Sequence, residues 1–429
     1  MSAPTHPFLR RRAIAALRYG DPDRRDAGPT VTTALIAGAV AAGLLVAGAV
    51  ALPRLKTPAT LGDAAIVMVA DTGALYVRLE DTVHPVLNLS SARLLTGSTS
   101  PPRKVAAAAL ATADRGPTLG IPGAPDDPGR PLLADAVTWT VCDDGATTVL
   151  ITAEPPDPPT GADAALVAGP SGRRYLLADG RRFQIADPLI TRALGVEGLA
   201  PQSVSAALLT LLPDGPPLAV PVIPDAGNPG PDALGDARVG QVLRAPNAGA
   251  DQHYLVLAGG VQRIGELAAD LVRLAGGRTE IRDVDPATVA EVPTVGVLSL
   301  SDLPDTLGEV RGAGSGALCA DWNPQASAVR FTPEAPTPAG RRPVTLPTAD
   351  DAGPALDRVL VPPGRSVYVR DRGTTALIDD TGVRYPLDAD AVAALSLVDQ
   401  PTPAPPGLLA ALPAGPALSR SAAAQPAIG

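Results

Sequence analysis

Val31–Leu52, "VTTALIAGAVAAGLLVAGAVAL", is a run of 22 residues without a charged side chain. As a helix it would extend about 33 Å, enough to cross a hydrocarbon core of about 30 Å. Arg10, Arg11, Arg12, Arg18, Arg24 and Arg25 lie upstream, and only Arg54 and Lys56 follow closely. The positive-inside bias therefore puts the N-terminus in the cytoplasm and everything after Leu52 outside. A cleaved signal peptide is the rival, with "AVA" ending at Ala51. Its apolar region would normally be about 7–15 residues, so an uncleaved anchor is the better reading. This predicts a single-pass protein of the cell (inner) membrane. Ala39, Gly43 and Ala47 form a small-xxx-small row that could pack on another membrane helix, although an Ala-rich chain produces such rows by chance. The stretch "HPFLRRRAIAALRYGDPDRRDAG" reads as a short basic helix against anionic headgroups or a partner, or as a topology signal alone.

Composition bounds what lies outside. The chain's 49 Pro and 43 Gly predict many short elements joined by ordered turns. The net charge is −9 while the first thirty residues carry six Arg against three Asp, which leaves the remainder at −12. An acidic bulk excludes nucleic-acid binding, which needs a basic surface to displace counterions. Cys142 and Cys319 are the only cysteines, and both fall on the extracytoplasmic side. An even count in an oxidising compartment predicts one structural disulfide tying two distant segments together. Trp139 and Trp322, the only tryptophans, sit close to them in "VTWTVCDD" and "CADWN".

One phrase occurs four times: from Gly73, "GALYVRLEDTVHPVLNLSSARLL"; from Arg173, "RRYLLADGRRFQIADPLITRALG"; from Gln252, "QHYLVLAGGVQRIGELAADLVRL"; from Thr374, "TTALIDDTGVRYPLDADAVAALSL". Each reads as strand, tight turn, strand and helix, with Asp179–Gly180, Gly259–Gly260 and Thr381–Gly382 as hairpin turns. "LLTLLPDGPPL" and "LLAALPAGPAL" close the second and fourth copies. The fold class expected is α+β with a β-rich ectodomain: four β-turn-β-α repeats around a discontinuous, disulfide-linked central β domain. The boundaries are a cytoplasmic N-terminus 1–30, a membrane helix 31–52, a linker 53–65 and repeat 1 at 66–112. The central domain opens at 113–165, followed by repeat 2 at 166–220 and repeat 3 at 221–285. It resumes at 286–360, ahead of repeat 4 at 361–420 and a short tail at 421–429. "EPPDPPT" and "PTPAPP" are stiff joints.

On these phrases the chain resembles the EccB family, bitopic membrane components of actinobacterial type VII (ESX) secretion. The resemblance runs from "HPFLRRR" and "ALRYGD" through "GPTLGIPGAP", "WTVCDD", "IPDAG" and "YLVLAGGVQRI" to "GPALSR". It implies an elongated, pseudo-symmetric ectodomain and self-association. It also implies assembly with an FtsK/SpoIIIE-type ATPase, a polytopic channel-like subunit and an accessory membrane subunit. The tail after Arg420 is only a few residues, so any role of a longer tail in relatives is not carried over to this chain.

No catalytic, cofactor-binding or metal residues are assigned. A P-loop needs a glycine-rich turn ahead of its lysine, and Lys56-Thr57 follows "ALPRL" without one. "GAGSGA" from Gly312 does not meet G-x-S-x-G. His84 and His253 read as structural strand residues, the "NLS" at Asn88 as a chance sequon, and the acidic "PLDADAV" as a helix start rather than a calcium site. An ATP-hydrolysing subunit, the label some family members carry, is therefore disfavoured. The leading expectation is a structural subunit of the secretion complex; the alternative is a module binding peptidoglycan or other cell wall.

Overall fold

The computed structural model describes residues 6–20, 29–55, 60–153, 164–187, 189–247, 251–275, 280–338, 340–351, 355–397 and 400–427. The chain divides into two compact units, Met1–Ala74 with Pro102–Ala113, and Leu75–Pro101 with Asp114–Gly429.

The first unit contains two helices, α1 (His6–Tyr19) and α2 (Pro29–Leu55). The second of these covers the uncharged run. Its side chains are described over 33–46, and among the described residues no helix is long and apolar enough to cross a membrane. Beyond the helices, strand Ile66–Val69 pairs in parallel with Arg103–Val105, and Val67, Val69 and Val105 are buried.

The second unit is mixed α+β and β-rich, and its small sheets share one order of connections. In the second of them, Ala164–Ala168, Arg174–Ala178 and Arg181–Gln184 form an antiparallel meander. A helix, Leu189–Ala193, follows; Gln202–Ser203 then returns parallel to the first strand, and Ala206–Leu211 is helical again. The third sheet does the same with Val242–Ala245, Gln252–Leu257 and Gly260–Ile264, helix Glu266–Ala275 and return strand Arg282–Asp283. The fourth uses Arg365–Asp371, Thr374–Ile378 and Arg384–Pro386, helix Ala389–Ala394 and return strand Thr402–Pro403. Near the start of the unit lies the hairpin Leu75–Leu79 and Thr82–Val86, followed by α3 (Leu89–Thr96). The turn at Asp179–Gly180 has both residues at positive φ (48° and 67°), the left-handed pair that matches strand twist in a two-residue hairpin.

After each short helix the chain passes back along the last strand of its meander as a parallel arm. Gly116 N–H donates to the Val83 carbonyl (3.1 Å), Gly215 to Arg182 (2.9 Å), Val295 to Val261 (2.9 Å) and Gly415 to Arg384 (2.9 Å). The three glycines lie directly under a ring: a Cβ would run into His84 at Gly116, Phe183 at Gly215 and Tyr385 at Gly415. In the third sheet the ring is replaced by Gln262 and the glycine by Val295. Gln262 Oε1 there accepts from Val297 N–H (3.0 Å) and Leu298 N–H (2.9 Å), binding the arm by hydrogen bonds instead. Ring and glycine are thus a steric pair across 30 or more residues of sequence.

The centre is a six-stranded sheet in the spatial order Ser327–Thr332, Ala317–Trp322, Thr138–Asp143, Thr147–Thr152, Arg358–Leu360 and Val344–Thr345. Its inner face shares one core with the second and fourth sheets: Trp139, Val141, Ile151 and Leu318 meet Val167, Leu177, Leu208, Val367, Ile378 and Leu408. A second core joins the second sheet (Leu176, Phe183, Leu218) to the third (Leu255, Leu267, Leu271).

Gly215→Ala should destabilise the protein by about 1–3 kcal/mol through the clash with buried Phe183. In a Phe183→Leu background the same change should cost less, by at least about 0.5 kcal/mol of coupling in a urea-melt double-mutant cycle. Additive costs would show that the ring and the glycine do not act as a pair.

Candidate functional site

Cys142 and Cys319 are register partners on the antiparallel strands Thr138–Asp143 and Ala317–Trp322, with Cα atoms 4.1 Å apart and a disulfide between them. Both are fully buried, beside Leu150 and Leu360 on the outer face of the central sheet. Trp139 and Trp322 are partners three residues further along the same pair, on the other face. The rhyme between the two cysteine settings is therefore one pair of strands seen twice in the sequence.

Three buried carboxylates bind the joints around this pair. Asp321 accepts from its strand partner Thr140 Oγ1 (2.6 Å) and, in a two-point contact, from Arg330 Nε (2.7 Å) and Nη2 (3.2 Å). Asp357 accepts from the backbone N–H groups of Thr147 (2.6 Å), Asp350 (2.8 Å) and Asp351 (2.7 Å), which fixes the loop ahead of strand Arg358–Leu360. Asp143 accepts from Thr147 Oγ1 (2.9 Å) and from the N–H of Ser205 (2.7 Å), the residue that caps helix Ala206–Leu211. It thereby ties the central sheet to the second. Burial pushes the Asp143 carboxyl above its ordinary value, against the lowering pull of the Ser205 and Thr147 hydrogen bonds. These aspartates were not singled out in the sequence; their signal would have been Asp in otherwise apolar strands, as in "TVCDD" and "CADW".

The remaining sequence candidates separate. Arg10, Arg11 and Arg12 lie on α1, where Leu9, Ile14 and Leu17 are exposed; Arg24 and Arg25 lie outside the described residues. Ala39 and Gly43 are one turn apart on α2, and Ala47 continues that helix. Lys56-Thr57 also falls outside the described residues. His84 is a strand residue whose Nδ1 lies 3.1 Å from the Pro117 carbonyl, and His253 sits between Arg244 and Ile264 in its sheet. Asn88 is buried as the cap of α3, accepting from Ser91 N–H (2.9 Å) and donating to the Ile121 carbonyl (3.0 Å), so its amide is engaged. Asp388 caps helix Ala389–Ala394 through Ala391 N–H (2.6 Å). Among the described residues no group of His, Cys, Asp and Glu could hold a metal ion.

His84 and the aspartates described above are spent on the chain's own backbone and side chains. Such an arrangement defines a cross-tied, β-rich scaffold built around one disulfide-linked strand pair. The comparisons agree: the family model for the type VII secretion system ESX-1 transport TM domain B matches residues 3–427, and the chain belongs to the EccB family. It is 33% identical to the ESX-5 secretion system ATPase EccB5 of Mycobacterium tuberculosis, over 97% of this chain and 91% of that protein. It is 35% identical to the ESX-3 secretion system ATPase EccB3 of Mycolicibacterium smegmatis, over 93% and 84%. A chain of an intact ESX-5 inner membrane complex superposes with a TM-score of 0.70 at 32% identity, covering all of this chain and 96% of that one. A chain of the EccB3 dimer from the ESX-3 core complex does so with 0.69 at 33%, covering 84% and 100%.

Two outcomes follow for this site. The paired change Cys142→Ser and Cys319→Ser should cost about 2–5 kcal/mol in chemical denaturation, since the bond closes a loop of 177 residues. Asp143 holds its proton more tightly folded than unfolded, so its contribution is full below pH 3.8 and is lost as pH rises through the raised native value. Asp143→Asn, whose amide oxygen can still accept from Ser205, should flatten the fall in stability that sets in above pH 3.8 and match or exceed the parent once Asp143 is ionised. An unchanged slope would exclude Asp143 as its source.

Proposed function

We propose that the chain is a structural subunit of a type VII (ESX) inner-membrane secretion complex, held by one membrane-spanning helix with its N-terminus in the cytoplasm. The observation that carries this reading is the whole-chain likeness to a subunit sitting inside an assembled ESX inner membrane complex. The 27 residues of α2 extend about 40 Å, which supports a crossing with some tilt. Leu35, Ile36, Val40, Leu44, Leu45 and Val46 are all more than half exposed, as a lipid-facing or helix-packing surface requires. The row Ala39, Gly43, Ala47 is the face read as packing on a neighbouring membrane helix. Arg10, Arg11, Arg12, Arg24 and Arg25 set the orientation.

We read the four β-rich modules as copies of one unit, extended beyond strand–turn–strand–helix by a leading strand, a return strand and the parallel arm. On this reading the third unit runs on past 285 to its arm at Val295. The partners implied are an FtsK/SpoIIIE-type ATPase and polytopic and accessory membrane subunits, together with further copies of this chain. The word ATPase in the relatives' names has no counterpart in a glycine-rich phosphate loop of this sequence, so ATP turnover is assigned to the motor partner.

Mild-detergent extraction of a tagged copy from its own host, followed by a native gel and mass spectrometry, tests the assembly. A megadalton band that contains the motor ATPase is expected, with ATP turnover in that band and none in the purified subunit. A lone monomer or dimer under several detergents would overturn it. Changing Arg10, Arg11, Arg12, Arg24 and Arg25 together to Gln should lower the activity of a phosphatase fused after the C-terminus, which reports extracytoplasmic exposure.

A further inference from the structure

Each parallel arm closes the last strand of its meander and in turn presents an outer edge of its own. The four arms align on the residue that follows the one bonded to the strand: Pro117 after Gly116, Pro216 after Gly215, Pro416 after Gly415, but Gly296 after Val295. Proline has no N–H, so three arms carry a blocked donor there and the third does not. Thr294 is the bridge partner of Val261, and its neighbours make the bonds: Val261 N–H donates to the Pro293 carbonyl (2.8 Å) and Val295 N–H to the Val261 carbonyl (2.9 Å). The N–H and C=O of Thr294 therefore point away from the sheet. Among the described residues, neither Thr294 nor Gly296 has a backbone hydrogen-bond partner. Thr294, Gly296 and Val297 are exposed, and a Cβ on Gly296 would meet nothing within 4 Å.

In the first arm the same edge is covered. The chain end lies antiparallel to it, with Leu119 opposite Pro426 and Ala427 N–H donating to the Thr118 carbonyl (2.8 Å). Ala427 comes nine residues after Leu418 of the fourth arm. Nine residues after Leu218 of the second arm stands Gly227, but its N–H donates to the Val239 carbonyl (2.9 Å), on the flank of the third sheet far from its arm. The cover that the fourth module lends the first is thus not lent by the second to the third. The open edge is also uncharged: residues 292–301 carry no ionisable side chain, whereas the second arm has Asp214 where the third has Thr294. Beyond its first thirty residues the chain has a net charge of −12, so two copies repel over most of their surface. At this edge they can meet without opposing like charges.

We propose that the third arm's edge pairs with the same edge of a second copy of this chain, antiparallel about a two-fold axis at Val295. The N–H and C=O of Thr294 then bond the partner's Gly296, and by symmetry those of Gly296 bond the partner's Thr294. Val295 faces itself in a pair without hydrogen bonds, and exposed Val297 comes opposite the partner's Pro293. Self-pairing in this register satisfies the backbone groups of both residues at once, as the chain end does for the first arm. The contact is short, and it suffices between chains held in one complex at high effective concentration. The proposal rests on the assembly reading above for bringing two copies together, but not for the open edge.

The test uses the full chain in membranes of its own host, under mild oxidation. Val295→Cys should give a covalent dimer, because facing residues of such a pair have Cα atoms about 4.5 Å apart, within reach of a disulfide. Val297→Cys should not, since its two copies would lie more than about 12 Å apart along the strands. Cys142 and Cys319 do not compete, being buried and bonded to each other. In the Val295→Cys background, Gly296→Pro removes the donor and should abolish the dimer without loss of Tm; Gly296→Ala keeps the donor and should preserve it. No dimer from Val295→Cys, an equal dimer from Val297→Cys, or a dimer that survives Gly296→Pro overturns the pairing. A cross-link from position 295 to a different subunit, identified by mass spectrometry, overturns the occupant. A megadalton band that persists in either case leaves the assembly reading standing while the edge contact falls. The register-specific dimer without that band does the reverse.

Discussion

The antiparallel pairing of Thr138–Asp143 with Ala317–Trp322 is the contact on which the rest of the second unit depends. It joins residues separated by 177 positions at the disulfide, and closing so long a loop is entropically costly before any contact rewards it. Once made, it supplies one face to the shared core, where Trp139, Val141 and Leu318 meet side chains of two other sheets. It also aligns Thr140 with Asp321 and, through the neighbouring strand, Arg330. The disulfide holds this pair against the large ensemble of the unfolded chain, so its contribution lies on the energetic link rather than on catalysis. Asp143 and Asp357 then convert that pair into a junction by holding Ser205 and the 350–351 turn.

The chain around that pair has a doubled order. The first bridging strand, Arg130–Pro131, precedes the hairpin Thr138–Thr152 and then the second sheet; the other, Val310–Arg311, precedes the hairpin Ala317–Thr332 and then the fourth. Corresponding positions are 180 residues apart (130 to 310, 152 to 332). Each bridging strand crosses to the sheet of the opposite half: the first pairs with Arg365–Ser366 and the second with Ala164–Ala165. That exchange interlocks the halves through backbone hydrogen bonds, which need no particular side chains. It therefore survives in segments as different as "RP" and "VR".

What was legible in the sequence follows the strength of the local signal. Alternating apolar strands with Asp-Gly or Gly-Gly between them announce hairpins, and Asp179–Gly180 adopts the left-handed pair that such a turn demands. The even cysteine count, with the expectation of an oxidising compartment, announced the disulfide. The leading strands, return strands and arms were not readable. A return strand such as Gln202–Ser203 has two residues, too few for any periodicity, and its partner lies more than thirty residues away. The shared ending "LPDGPPL" and "LPAGPAL" was visible, but its meaning, a glycine passing under Phe183 or Tyr385, depends on contacts across the module. The third copy hid the rule because Gln262 and Val295 replace ring and glycine together, and only the structure reveals that the two changes belong to one contact.

Sheet edges decide what such a scaffold can do. A small sheet exposes unpaired backbone groups on both flanks and invites uncontrolled pairing unless they are covered. Here one flank of each meander is covered by its own arm, and the other by a return strand. In the second and fourth sheets the remaining gap is closed by a strand from the opposite half, so covering an edge and locking the halves together are one event. A chain that covers its edges by such exchange can present several small sheets without aggregating.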